Sequence, residues 1–255
     1  MTVPPLYTKP QNAEVTDKER LTTYEIYEND KRMKLYTSTG TVKLRKMCND
    51  LDVGLLMVDH WRDPKEWSYF AVDNGCYSAF SRKVEWNPTK FLNILYKCKA
   101  LGLTPDFIVI PDIVGGGLDS LKKSETWGPF LEKEFGFPMY LAVQDGMKVE
   151  DVYNSSLLWI IHGIFIGGTM KWKIAHMKEW VDFAHDEKLK CHVGRIGTFS
   201  RMKMTKIVGA DSIDSTSWVQ NTGWMETRVA RFRNQRHKDC TLDNLENVWS
   251  TGEAE

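Results

Sequence analysis

The sequence Phe107-Ile-Val-Ile-Pro-Asp112 is a short apolar run that ends in an acidic residue. Runs that are this short and apolar throughout are typical of strands in a parallel sheet that is buried on both faces. The same pattern recurs along the chain, with segments of helical periodicity between the runs. The seven predicted strands are Val53–Val58, Tyr69–Val72, Phe107–Ile110, Met139–Val143, Ile164–Ile166, Cys191–Val193 and Ala210–Ile213.

Helix signals lie between these runs. Asn87-Pro88 supplies an N-cap and a proline at the first helical position, and Gly102 stops the helix. Residues 171–188 place an apolar stripe opposite lysines and acids, and residues 200–208 close at Gly209. The alternation favours an α/β fold, a single-domain (β/α)8 barrel of the TIM type, over an open doubly wound sheet. An eighth strand is expected in the N-terminal arm or after the seventh run.

Composition limits the class of protein. We assign residues 1–40 to an irregular N-terminal arm and residues 41–255 to the barrel domain, without a zinc subdomain. The 34 Lys and Arg balance the 34 Asp and Glu, which excludes a globally basic nucleic-acid binder but allows a local basic patch. No apolar run approaches the ~20 residues that span a bilayer, and the polar start lacks a signal core. Five scattered cysteines fit a reducing compartment, so we expect a cytoplasmic protein without a membrane partner.

Polar residues follow the predicted strands at their carboxyl ends, where barrel enzymes carry their chemistry. Any one of these residues alone is more typical of a helix cap or a turn. Glycines stand beside several of them, where backbone can approach a flat ligand closely. Together they predict a functional mouth built from Asp73-Asn74-Gly75-Cys76-Tyr77, Pro111-Asp112, Gln144-Asp145-Gly146, Gly167-Gly168 and Asp214.

The residue types at this mouth indicate a class of chemistry. Two carboxylates can divide the roles of nucleophile and general acid/base, as in retaining glycosyl transfer. A third carboxylate, an amide and backbone N–H groups suit the edge of a heterocycle, and Tyr77 can stack on its face. The mouth therefore fits a purine or a similar ring.

The order of the motifs resembles the catalytic series of the tRNA-guanine transglycosylases and of their relatives that insert 7-deazaguanines into DNA. The resemblance implies a guanine-exchange site on a (β/α) barrel and covers about 140 residues. The matching segments are DNGCY at 73–77, FIVIPD at 107–112, AVQDG at 142–146, IGG at 166–168, GRIG at 194–197 and GADSID at 209–214.

The resemblance also implies residue roles. Asp214 matches the nucleophile that attacks C1′ and displaces guanine, and Asp73 matches the acid/base carboxylate. Asp112 would hold the N1 and amino edge of the base, with Gln144 and the Gly168 backbone at its exocyclic oxygen. The implied base-binding set, which includes a stacking tyrosine and an opposite wall, is Tyr77, Asp112, Gln144, Gly146, Gly167, Gly168, Val193 and Gly194.

The departures from the family concern metal and substrate. The tRNA enzymes carry a C-x-C-x-x-C zinc site with a distal His, but only His237 and Cys240 follow the nucleophile here, so we predict no metal and no cofactor. An added RNA-binding domain of the archaeal kind does not fit within 255 residues. A compact chain without zinc resembles the DNA-modifying branch of phages and bacterial modification clusters. The expected partners are therefore DNA and a free 7-deazaguanine base such as 7-cyano-7-deazaguanine, in the host cytoplasm if the chain is phage-encoded.

A basic segment, residues 225–238, follows the predicted nucleophile. Only Glu226 opposes its cations, which favours phosphate contacts over the alternative of a solvated helix face. A target guanosine in a duplex would have to be flipped out to reach the mouth. The alternatives are exchange in tRNA, a non-catalytic nucleic-acid-binding paralogue and a barrel glycosidase. The predicted phosphate-binding residues are Arg228, Arg231, Arg233, Arg236 and Lys238.

Overall fold

The computed structural model describes residues 33–38, 42–220 and 222–234. These residues form a closed barrel of parallel strands, in which each strand pairs with the next in sequence and the last pairs with the first. The predicted (β/α)8 fold is therefore confirmed. The strands are β1 Lys34–Thr37, β2 Val53–Met57, β3 Phe70–Val72, β4 Ile108–Val109, β5 Met139–Val143, β6 Gly163–Ile166, β7 Lys190–Val193 and β8 Ser212–Asp214.

Helices connect the strands and surround the barrel. Two 3₁₀ turns, Pro64–Glu66 and Ser156–Trp159, lie in the connections, and a π-helical turn at Met225–Ala230 joins the last two helices. No helix of the described part is long and apolar enough to cross a membrane. The helices are α1 Val42–Asp50, α2 Cys76–Ser81, α3 Pro88–Ala100, α4 Leu118–Phe135, α5 Val149–Tyr153, α6 Met170–Asp186, α7 Phe199–Ile207, α8 Ser217–Gln220, α9 Thr222–Trp224 and α10 Arg231–Asn234.

The predicted elements correspond closely to the observed ones. All seven predicted strands are present, and α3 begins as predicted, with the Asn87 side chain accepting a hydrogen bond from the Thr89 N–H at 2.9 Å. The eighth strand, β1, lies inside residues 1–40. The arm is one of the two places in which we expected this strand, and β1 occupies residues 34–37 of the segment assigned as irregular, while residues 1–32 lie outside the described part. The four residues of β1 carry too little pattern to identify a strand without the neighbours with which they pair.

Successive side chains of a strand point to opposite faces, so the core has one layer between the sheet and the helices and a second inside the barrel. On β1, Leu35 packs outward with the main cluster between sheet and helices, whereas Tyr36 points into the barrel. Aromatic rings fill the barrel interior, where Phe107 and Tyr140 stack with centroids 4.2 Å apart. The interior is a packed core, so a ligand can enter only above these rings, at the carboxyl ends of the strands.

Candidate active site

A cavity of about 420 Å³ opens at the carboxyl ends of the strands. Its volume falls within the range of small-molecule sites. Loops that follow strands on all sides of the barrel contribute to its wall, because parallel strands deliver their carboxyl ends to one face. The sequence-predicted residues that line this cavity are Asp73, Tyr77, Asp112, Gln144, Gly167, Gly168 and Asp214.

Asp73 follows β3 and accepts a hydrogen bond from the Gly75 N–H at 2.7 Å. This turn needs glycine, since Gly75 has a φ of 79° and a Cβ there would lie 2.9 Å from Asp59 Oδ1. Burial, and then the nearby carboxylates of Asp214 and Asp112, raise the pKa of Asp73 to about 7, although the Gly75 hydrogen bond opposes the shift. A carboxyl group with this pKa can donate or accept a proton near neutral pH.

Asp112 follows β4 and is held by two buried amides. The Asn74 side chain donates to Asp112 Oδ1 at 2.9 Å and also to the Ile110 carbonyl at 2.9 Å. The Gln144 amide donates to Asp112 Oδ2. Each carboxylate oxygen keeps a second lone pair, so Asp112 can still accept hydrogen bonds from a ligand. Burial raises the pKa of Asp112 above its usual range. Asn74 stands in the quoted DNGCY motif, but sequence reasoning gave it no role.

Asp214 ends β8 and uses one oxygen for its hydrogen bonds to protein. Its Oδ1 accepts from the Arg195 backbone N–H at 3.1 Å and lies 3.0 Å from His192 Nε2. The His192 ring is fully buried inside the barrel, and its Nδ1 lies 2.8 Å from Ser212 Oγ. Sequence reasoning missed His192. The signal was present, because alternation along Cys191-His-Val193 places the histidine on the opposite face from its two neighbours.

Tyr77 and Arg195 form a pair at one side of the mouth. The Tyr77 side chain projects from α2 with 43% of the residue exposed, and the Arg195 guanidinium lies 4.0 Å from the centre of its ring. The same guanidinium donates to the Gly168 carbonyl. Arg195 has a φ of 61°, a left-handed conformation that non-glycine residues rarely adopt. It belongs to the GRIG motif, yet sequence reasoning named only the glycine before it.

Three residues of the predicted base-binding set do not line the cavity. Gly146 lies in an exposed turn, and a Cβ placed on it would meet no atom within 4 Å. Val193 is fully buried in the outer core, because alternation turns His192 inward instead. Gly194 lies against Asp214, where a Cβ would come 3.4 Å from Asp214 Oδ1. The predicted wall position is occupied by the side chain of Arg195, one residue later.

Lys173 corrects another expectation. The helix pattern put the lysines of residues 171–188 on the polar face, but Lys173 is fully buried on the face of α6 that carries Met177 and Trp180. Its ammonium group donates to the Gly194 carbonyl. Burial, and then the charge of Arg195, lower the pKa of Lys173 to about 7. A cation that is removed from water in this way is costly, and it lies directly behind the loop that holds Asp214.

The predicted basic segment is divided between the two ends of the barrel. Arg228 donates to the Gly197 carbonyl at 2.9 Å, on the mouth side, and its guanidinium lies 3.9 Å from the Trp224 ring centre. Arg231 is exposed and lies over Phe199. The Arg233 guanidinium instead donates to backbone carbonyls at the amino ends of β1 and β2, so the prediction that it binds phosphate is wrong. Arg236 and Lys238 lie outside the described residues. The carbonyls that Arg233 contacts are those of Met33, Leu51 and Asp52.

Across residues 33–38, 42–220 and 222–234, no group of three or more His, Cys, Asp or Glu side chains is arranged to hold a metal ion. His237 and Cys240 lie outside this part of the chain. The sequence matches no protein-family model, and no curated protein is significantly similar to it.

Proposed function

We propose that this protein exchanges guanine in DNA for a free 7-deazaguanine base through a covalent intermediate on Asp214. One observation carries the proposal: Asp73 and Asp214 line the same cavity as the buried Asp112–Gln144 pair. Two carboxylates can perform glycosyl transfer, while a carboxylate and an amide can hold the edge of a purine. The motif resemblance described above agrees with this arrangement.

The reaction divides into two displacements. A carboxylate oxygen of Asp214 attacks C1′ of the target nucleoside, and the C1′–N9 bond breaks with its electron pair going to guanine. Asp73 gives its proton to the departing base and becomes a carboxylate. In the second displacement Asp73 takes the N9 proton of the incoming base, whose nitrogen attacks C1′ and releases Asp214. A pKa of about 7 allows Asp73 to serve as acid first and as base afterwards.

The cavity offers contacts for the base that match each of its parts. The second lone pairs of Asp112 can accept from the N1–H and amino groups of guanine. The Gln144 amide and the backbone at Gly168 lie along the same wall and suit the exocyclic oxygen. Tyr77 provides an aromatic face at the rim, and base stacking on such a face contributes about 1–3 kcal/mol. Deazaguanines keep this hydrogen-bonding edge, so the same contacts serve the incoming base.

We propose DNA as the substrate because of the resemblance to the DNA-modifying branch, and the surface beside the mouth carries cations that suit a nucleic acid. Arg228 and the exposed Arg231 lie on the segment that follows β8, with Arg228 tied to the loop at Gly197 beside the mouth. Cations in this place can contact the phosphates that flank a flipped nucleotide. The flipped nucleoside would enter the mouth with its C1′ toward Asp214.

The test is incorporation of labelled guanine into DNA, tRNA or an oligosaccharide acceptor. We expect incorporation into DNA and a protein–DNA adduct that survives denaturation, both abolished by Asp214→Ala. Asp182→Ala is the control, because Asp182 is an exposed acid on α6 that pairs with Lys178 and does not line the cavity. Incorporation into tRNA alone would identify tRNA, and not DNA, as the substrate. Full activity of Asp214→Ala, or no incorporation into any acceptor, would refute the proposal.

A further inference from the structure

We propose that His192 is a positioning residue for the nucleophile, which fixes the Asp214 carboxylate by donating a hydrogen bond to its Oδ1. The inference rests on the proposed function, in which Asp214 attacks C1′. Three buried groups form a row across neighbouring strands β7 and β8, with Ser212 Oγ 2.8 Å from His192 Nδ1 and His192 Nε2 3.0 Å from Asp214 Oδ1.

The row has only one consistent arrangement of protons. Burial lowers the pKa of His192, so its ring is neutral at pH 7 and carries one N–H. An ionised Asp214 can only accept, so the proton must lie on His192 Nε2. The other ring nitrogen is then an acceptor, and the Ser212 hydroxyl donates to it. The carboxylate thereby selects the tautomer, and Ser212 supports it by satisfying Nδ1.

The ring cannot turn away from this position. It stacks on Phe165 with centroids 4.7 Å apart and planes 22° apart, and Phe107 and Tyr36 pack against it at 5.2 and 5.8 Å. A hydrogen-bond donor held by packing on three sides orients its partner without losing conformational freedom during the reaction. Such rigid placement is what a nucleophile needs, because small misalignments lower the rate strongly.

The arrangement leaves one oxygen of Asp214 for chemistry. Both donors, His192 and the Arg195 backbone N–H, meet Oδ1. Within the described residues, no donor meets Oδ2. After attack through Oδ2, Oδ1 becomes the carbonyl oxygen of the ester and keeps both donors. The same two donors then stabilise the carboxylate when the incoming base releases it.

The experiment compares two replacements of His192 that differ in one property. His192→Phe keeps an aromatic ring to pack on Phe165 but removes the donor, whereas His192→Gln places an amide N–H near the position of Nε2. We measure the single-turnover rate of protein–DNA adduct formation, the Kd for DNA and for guanine, and the Tm. For His192→Phe we expect the rate to fall about 10- to 100-fold, the loss typical of a hydrogen bond to a charged group, with both Kd values nearly unchanged.

Rescue separates positioning from a merely structural role. We expect His192→Gln to recover at least about tenfold of the lost rate. We expect Ser212→Ala, which leaves the buried Nδ1 without a donor, to lower the rate by about 3- to 10-fold. A wild-type rate for His192→Phe, or equal losses for the Phe and Gln variants, would overturn the inference. If His192→Phe does not fold, a wild-type rate for Ser212→Ala would overturn it. Failure of the wild-type chain to form any adduct would refute the proposed function instead.

Discussion

Replacement of Asp73 by asparagine should stabilise the protein at alkaline pH, whatever reaction the cavity performs. The amide has the shape of the carboxyl group and can still accept the Gly75 N–H. Burial, and then the charges of Asp214 and Asp112, raise the pKa of Asp73 from 3.8 to about 7 in the folded chain. The folded protein therefore holds a proton between pH 4 and pH 7 that the unfolded chain has released.

The sign and size of the effect follow from this difference. Each pH unit between these values favours unfolding by about 1.4 kcal/mol, and the penalty levels off above pH 7. Asp73→Asn removes the penalty. The difference in free energy of unfolding between Asp73→Asn and the wild-type chain should therefore be about 2.5 kcal/mol larger at pH 8 than at pH 5.

The assay is urea denaturation at both pH values. If the free energy of unfolding depends on urea with the same slope in variant and wild type, the difference in midpoint reports the difference in stability. Asp119→Asn serves as control, since that carboxylate is exposed on α4 and does not line the cavity. Equal gains for Asp73→Asn at pH 5 and pH 8 would show that Asp73 is solvated and would refute the reasoning. Because the same variant should lose base exchange, a stabilised but inactive protein is the combined expectation.

Three further predictions concern charge, packing and binding. Burial and Arg195 lower the pKa of Lys173 from 10.5 to about 7, so Lys173→Met should raise the free energy of unfolding more at pH 6 than at pH 9, by about 2.5 kcal/mol in urea titrations. A stabilisation that increases with pH would contradict this sign. Arg233→Ala should lower the free energy of unfolding by about 2–4 kcal/mol through the loss of three backbone hydrogen bonds, without weakening DNA binding. Arg231→Ala is its control, for which we expect weaker DNA binding in a filter assay and little change in stability. Tyr77→Ala should weaken guanine binding by about 10-fold or more in calorimetry while Tyr77→Phe retains it, and equal losses in both variants would assign the contact to the hydroxyl rather than the ring.

The sequence predicted the barrel because its signal repeats. Each fully apolar run, such as Met139–Val143, indicates a strand buried on both faces, and the helical segments between the runs require parallel connections. For the eighth strand the sequence left two places open, and it did not locate β1. Lys34–Thr37 is held by hydrogen bonds to β2 and β8, which are distant in sequence, and its own four residues do not distinguish a strand from an arm.

Residues that end strands were predictable in the same way. Asp73, Asp112 and Asp214 stand directly at strand ends, and a closed parallel barrel brings all such ends to one mouth. These three aspartates therefore meet in one cavity because of where they stand in the sequence relative to the strands. The direction of side chains in the loops does not follow from it, which is why Gly146 and Val193 lie outside the cavity.

What the sequence determined by itself is the fold and the carboxylates at the mouth, because both depend on local periodicity and on the order of elements. The tertiary structure decided which groups surround those carboxylates. His192 donates to Asp214, and Lys173 lies buried behind the loop of Gly194 and Arg195. The tertiary structure also places the Arg233 guanidinium at the amino ends of β1 and β2, away from the mouth. The physical reason is that burial and hydrogen-bond partners are set by contacts between strands and helices far apart in sequence. Local alternation indicates that His192 points into the barrel, but it does not specify that the ring meets Asp214.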